Sequence, residues 1–130
     1  MMAVETPPRP ELAHRQAMRA EFADVVAELR ELLGLKLVAY LGSVNETRAV
    51  NQWAAGERTP GAATQARLRL ALQIALMIAA VDGAGVAQAW FQGMNPLLDD
   101  DSPGRLLREG GLEEVGPEVL GAARSFLQSG

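Results

Sequence analysis

Residues 68–81 read Leu68-Arg69-Leu70-Ala71-Leu72-Gln73-Ile74-Ala75-Leu76-Met77-Ile78-Ala79-Ala80-Val81, and the reading of this run decides the fold. Arg69 is its only charged residue and Gln73 its only other polar one. Four positions apart, the two stack on one narrow stripe of a helix. Leu68, Leu72, Ala75 and Ala79 fall on a second face; Leu70, Ile74, Met77, Ile78 and Val81 fall on a third. A helix apolar on nearly every side is expected to be buried on nearly every side. The fourteen-residue run is shorter than the roughly 18–20 residues that span a bilayer, so it reads as a core helix and no membrane is expected as a partner.

The N-terminal flank supplies one cover for it. Residues 1–8 read as a disordered leader, with Pro7, Pro8 and the nearby Pro10 blocking regular structure. From Glu11 the pattern turns helical: Met18, Phe22, Val25, Val26, Leu29, Leu32 and Leu33 recur at spacings of three and four, and Gly34 is a C-terminal stop. The other face is charged. This segment reads as a core helix, with a dimerisation helix as the alternative. A short helix, Leu35–Leu41, then leads to a break at Gly42-Ser43. Asn45 is placed to cap a second helix that runs to about Ala55 and stops at Gly56. Ala49, Val50 and Trp53 point one way; Thr47, Arg48, Asn51 and Gln52 point another. A short helix, a glycine turn and a second helix with a polar outer face make helix-turn-helix geometry.

The C-terminal flank supplies the other cover. Pro60 is expected to start the spine helix and Asp82-Gly83 to end it, before a helix of about Ala84 to Gln92 that carries Trp90 and Phe91. Asn95-Pro96 is a turn signal, and Ser102-Pro103 is a helix start with serine as N-cap. Leu106, Leu107 and Gly110 complete that helix. A last segment from Leu112 hesitates at Gly116-Pro117, then sets Val119, Leu120, Ala123, Phe126 and Leu127 at helical spacing. No strand is expected, and the fold class is all-α.

A chain of 130 residues, 48% apolar and 5% aromatic, can bury a real core as one domain or two small ones. It has no cysteine, which excludes disulfides and thiolate metal sites and fits a cytoplasmic protein. No signal-peptide pattern is present in the sequence. The net charge of −4 argues against nucleic acid, but the average hides a division. Residues 36–69 carry Lys36, Arg48, Arg58, Arg67 and Arg69 against Glu46 and Glu57, whereas residues 82–130 carry three arginines against eight acids. A basic middle beside an acidic tail points to two partners of opposite taste.

In helix-turn-helix geometry the second helix lies in the major groove. Arg48 can read guanine bidentately, and Asn51 or Gln52 can read adenine. Thr47 suits a phosphate or a thymine methyl. Lys36, Arg58 and Arg67 would neutralise phosphates, which adds affinity without sequence information. Val50 and Trp53 read as the packing side of the same helix.

Trp53-Ala54-Ala55-Gly56-Glu57-Arg58-Thr59-Pro60 resembles the W-x-x-G-x-x-x-P ending of Xre-type helix-turn-helix proteins, though the turn before it is longer. Further on, Trp90-Phe91, Asn95-Pro96-Leu97-Leu98, Ser102-Pro103, Leu106-Leu107 and Gly110 follow a pattern similar to the toxin-binding domain of Xre/MbcA/ParS antitoxins. Asp99 to Asp101 stand where that pattern often has glycine. The likeness implies a leader (1–10), an N-terminal helix with helix-turn-helix (11–64), and a helical toxin-binding domain (65–130), joined through the long buried helix.

It also implies a function. Antitoxins of this family neutralise a RES-domain toxin that depletes NAD, and they repress their own operon by binding operator DNA. On that resemblance Trp90, Asn95, Pro96, Leu97, Ser102, Pro103, Phe126 and Leu127 are the toxin-binding candidates, with Phe126 and Leu127 as a plug. Acidic residues of the tail (Asp99 to Asp101, Glu109, Glu113, Glu114, Glu118) favour encounter with a basic cleft. A homodimer on a palindromic site is expected. Neither enzyme activity nor a cofactor or metal is expected: His14 is the only histidine and no nucleophile is placed beside it. The alternatives are a stand-alone regulator whose tail only dimerises, and an interaction module that no longer touches DNA.

Overall fold

The computed structural model describes residues 10–129, with side chains from Arg19 onward, Ala20 apart; residues 1–9 of the expected leader and the side chains of His14 and Met18 lie outside the described residues, whereas Pro10, expected to block regular structure, opens the first helix. The regular structure of the described residues is all helical. Its elements are α1 (Pro10–Leu33), α2 (Leu35–Leu41), α3 (Thr47–Ala54), α4 (Ala62–Asp82), α5 (Ala84–Gln92), a 3-10 turn (Pro96–Leu98), α6 (Pro103–Glu109) and α7 (Leu112–Ser129).

The apolar stripe of α1 becomes core: Phe22, Val25, Val26, Leu29 and Leu33 are buried, where α1 packs on α2, α3, α4 and α5. Burying side chains of this size stabilises the fold by about 1.5–3 kcal/mol each. From Phe22 to Leu33 the apolar face of this helix is therefore packed within the chain. Gly34, with φ of +85°, turns the chain sharply into α2 at a backbone angle that glycine adopts without strain.

Trp53 explains the turn between α2 and α3. It is buried, and a Cβ on Gly42 would stand 2.8 Å from its ring. Gly42 is thus needed for room rather than for backbone freedom, because its φ is −80°. The left-handed position falls one residue later, on Ser43 (φ 58°). There Val44 N donates to Ala39 O at 3.0 Å and Ser43 N to Tyr40 O at 3.1 Å, the Schellman pairing that closes a helix. The same pairing closes α3, with Gly56 (φ 75°) in the left-handed place. Two boundaries differ from expectation. Glu46, not Asn45, is the residue before α3, and no side chain caps it. Gly61, not Pro60, precedes α4, while the Pro60 carbonyl accepts from Gln65 Nε2 at 2.9 Å.

The spine, α4, carries Leu68, Ala71, Ile74, Ala75 and Ile78 into the interior against α1, α2, α5 and α7. Its covering is less complete than a nearly all-apolar helix predicts. Gln73, Leu76 (41% exposed), Ala80 and Val81 (69%) form an uncovered side. One polar residue, one alanine and two aliphatic side chains make this side small, but Leu76 and Val81 there remain unburied apolar area. Because Ala62 to Arg67 extend the helix ahead of the apolar run, the 21-residue helix is long and apolar enough to cross a bilayer by length and composition. Its inner side is nonetheless enclosed by four other helices.

The last helix runs unbroken through Gly116-Pro117, so the predicted hesitation is absent. Pro117 sits early in α7, where its missing N–H deprives only the Glu113 carbonyl of its helical donor. Gly116 is buried, and a Cβ there would lie 3.3 Å from Leu70 Cδ2, which lets α7 close on the spine. Residues from both halves of the chain, from Phe22 to Ala123, belong to one continuous hydrophobic cluster.

Candidate functional site

Two adjoining grooves flank α3. One, of about 840 Å³, runs between α2, α3 and α6 and is lined by Lys36, Tyr40, Thr47 and Arg48, with Arg108 from α6 and Glu46 at the turn. The other, of about 570 Å³, is lined by Ser43, Asn45, Glu46, Arg48, Gln52 and Arg58. Arg48 borders both. It is exposed because Val50 and Trp53, on the opposite side of the helix, are buried. Arg58 Nη1 donates to Gln52 Oε1 at 3.2 Å, which steadies both side chains at the rim.

The structure therefore gathers Lys36, Thr47, Arg48, Gln52 and Arg58 of the expected DNA-contacting set. Asn51 stands apart. It is exposed, but its Oδ1 accepts from Arg30 Nη1 at 3.1 Å, so it faces α1. Reading adenine needs the oxygen and the nitrogen of an amide together; Arg30 holds the oxygen of Asn51 as Arg58 holds that of Gln52, so what separates the two is that Gln52 lines the groove and Asn51 does not.

Three residues escaped the sequence reading: Arg30, Tyr40 and Arg108. Arg108 belongs to the acidic third of the chain, and only the tertiary fold carries it to the basic groove. Its guanidinium lies 4.6 Å from the centre of the Tyr40 ring, and its Nη1 donates to the Tyr40 carbonyl at 2.8 Å. Arg67 donates to Leu41 O and Ser43 Oγ, both at 3.3 Å. Partial burial and then the charge of Arg108 push the Arg67 guanidinium below its ordinary pKa. The ion pairs among the described residues are Arg69 with Glu21, and Arg105 with Asp101 and Glu109. Lys36, Arg48, Arg58, Arg67 and Arg108 take part in none of these.

A third groove, of about 480 Å³, opens beside α5 and the end of α7 and is of the opposite kind. Ala89, Trp90, Met94, Pro96, Leu97, Ala122 and Phe126 line it, with Asn95, Ser125 and Ser129 as polar members. Met94 is 81% exposed and Leu97 65%. Two large apolar side chains thus stand open to solvent at the rim of one groove. Trp90 forms the floor: it is buried, its ring lies 6.5 Å from that of Phe126, and its Nε1–H is buried without an acceptor.

Asn95 builds the rim that lifts Leu97 outward. Its side chain accepts from Leu97 N at 2.9 Å, its carbonyl accepts from Leu98 N and Asp100 N at 2.9 Å each, and its own N–H donates to Asp101 O at 3.1 Å. The loop folds around this one residue, and Asp99 and Asp100 take left-handed φ values of 56° and 62° as it closes. Asp101 is tied to Ser102 N and to Arg105, and no metal-ligand cluster occurs among the described residues.

Of the toxin-binding candidates, Trp90, Asn95, Pro96, Leu97 and Phe126 share this groove. Ser102 and Pro103 do not line it: Ser102 Oγ caps α6 by accepting from Arg105 N at 3.1 Å, and Pro103 is buried. Phe126 and Leu127 are partly buried against the core rather than projecting as a free plug. Met94, absent from the expected set, is the most open apolar side chain of the groove.

No family model, no curated protein and no solved structure matches this chain.

Proposed function

We propose that the protein is a type II antitoxin that grips a protein partner with its apolar groove and represses its own operon through its basic grooves. The carrying observation is that surfaces of opposite chemistry open from one continuous core: Lys36, Arg48, Arg58 and Arg108 on one, Trp90, Met94, Leu97 and Phe126 on the other. The motif order that resembles Xre/MbcA/ParS antitoxins names the partners, operator DNA and a RES-type toxin that degrades NAD. Phosphates suit the basic grooves because counterion release drives their binding. An apolar anchor of the toxin suits the other groove, whose exposed Met94 and Leu97 gain most from being covered.

Co-expression with the product of the neighbouring gene tests the reading. The expected result is a co-purifying complex without NAD-degrading activity, and a protein retained on its own promoter DNA in a salt-sensitive way. A neighbour whose NAD-degrading activity is untouched by this chain overturns it. The uncovered side of α4, with Leu76, Ala80 and Val81, favours one further reading, a stand-alone regulator that dimerises through that face. It predicts a dimer that Leu76→Asp dissociates, with no toxin partner.

A further inference from the structure

The cations around the α2–α3 turn come from four different helices. Lys36 lies on α2, Arg48 on α3, Arg67 on α4 and Arg108 on α6. Lys36, Arg48 and Arg108 line one groove, and Arg67 is close enough to Arg108 to feel its charge. The only carboxylate lining that groove is the exposed Glu46. Like charges repel, so collecting four of them at one turn is unfavourable unless a polyanion meets them.

The two arginines are also held in place in advance. The last carbonyls of a short helix lack intrahelical donors. Arg108 takes that of Tyr40 and Arg67 that of Leu41, each near the negative end of α2. Arg108 is further fixed against the Tyr40 ring. One nitrogen of each fork is engaged this way, and a guanidinium carries five N–H donors. The remaining donors of Arg108 stand at the groove that Thr47 and Arg48 share, while Arg67 is held behind it on Leu41 O and Ser43 Oγ.

We infer that Arg108, with Arg67 beside it, is a phosphate-contacting residue for nucleic acid, so that the C-terminal half of the chain takes hold of the same duplex as α3. This rests on the DNA-binding reading above. An acidic protein is the lesser fit. The groove adjoins a helix face bearing Thr47, Arg48 and Gln52, which matches the side-by-side phosphates and base edges of a duplex.

The test is equilibrium binding of the full chain to a duplex of its own promoter across a series of salt concentrations. Arg108→Ala is expected to weaken binding roughly tenfold at low salt and to lower the salt slope by about one. Arg105→Ala, on the same helix but already paired with Asp101 and Glu109, is expected to leave the slope unchanged. Should Arg108→Ala not fold, Arg108→Lys and Arg108→Gln decide: lysine is expected to keep the slope and glutamine to lose it. An unchanged slope in a folded Arg108→Ala or Arg108→Gln, with Arg48→Ala still weakening binding, would confine Arg108 to capping α2 and overturn this inference alone. Absence of duplex binding by the wild-type chain at low salt overturns the DNA-binding reading with it. Retention on polyglutamate instead of duplex would hand the groove to an acidic protein and overturn the inference as well.

Discussion

The grooves beside Arg48 and the groove beneath Leu97 open from one core, yet they are built in contrary ways. Around Arg48 the walls are charged and polar, and side chains are held by hydrogen bonds: Gln52 by Arg58 and Arg108 to the Tyr40 carbonyl. Around Leu97 the walls are hydrocarbon, and position comes from packing and from one turn wound about Asn95. Charge attracts at a distance and fades with salt. Apolar area acts only on contact and is little affected by salt. On the proposed function, the difference makes binding at the two surfaces separable by ionic strength even where the folding of the two is not.

Trp53→Ala attacks the point where that independence ends. Removing a buried indole costs about 3–5 kcal/mol, and the ring sits on Gly42 within the cluster that also holds Trp90 and Phe91. Thermal or urea unfolding is expected to lose both surfaces in a single transition. A tail that still bound its partner after the head had melted would divide the molecule into two separately stable units.

Leu97→Asp addresses the apolar groove alone. The side chain is 65% exposed, so stability should change little. Partner affinity is expected to fall by about 2 kcal/mol or more, as at the centre of an interface, and by the same factor at low and high salt. A loss that vanished at high salt would mean that charge, not area, drives the tail's encounter. Arg48→Ala is the matching probe of the head, with an expected loss of about 1–3 kcal/mol in operator affinity and partner binding untouched. Equal damage to both activities would make Arg48 structural.

These contrasts were unequally legible in the sequence. The tryptophan-glycine spacing from Trp53 to Gly56 named the second helix, its buried side and its end, because those are local consequences of periodicity and of one left-handed residue. The spine was legible as a core helix, but its open side was not. An apolar pattern shows what a helix tolerates, whereas covering depends on how many neighbours the fold supplies. Arg108 was hidden for a related reason: counted along the chain it belongs to an acidic tail, and only the docking of α6, with Gly104 against the Phe91 carbonyl, carries it to Tyr40. Asn51 was misplaced by the helical wheel, which cannot foresee that Arg30 of α1 holds its oxygen. Met94 gave no signal at all, since a methionine beside a turn is equally at home inside or outside.

Asn95→Ala asks whether the rim of the apolar groove is part of the grip or only its support. The asparagine oxygen caps the 3-10 turn through Leu97 N, and losing such a cap costs about 1 kcal/mol. The backbone bonds that Asn95 makes to Leu98, Asp100 and Asp101 survive the substitution, so the loop should loosen without unfolding. Partner affinity is then expected to fall less than in Leu97→Asp, because Leu97 is still present but held in a broader range of positions. Asn95→Asp keeps the accepting oxygen and lacks the amide donors. If Asn95 acts only by holding the turn, the aspartate variant restores stability and affinity together. Restored stability with affinity still low would mean that the carboxamide nitrogen itself touches the partner, and the rim would then be as much a part of the contact as the leucine it raises.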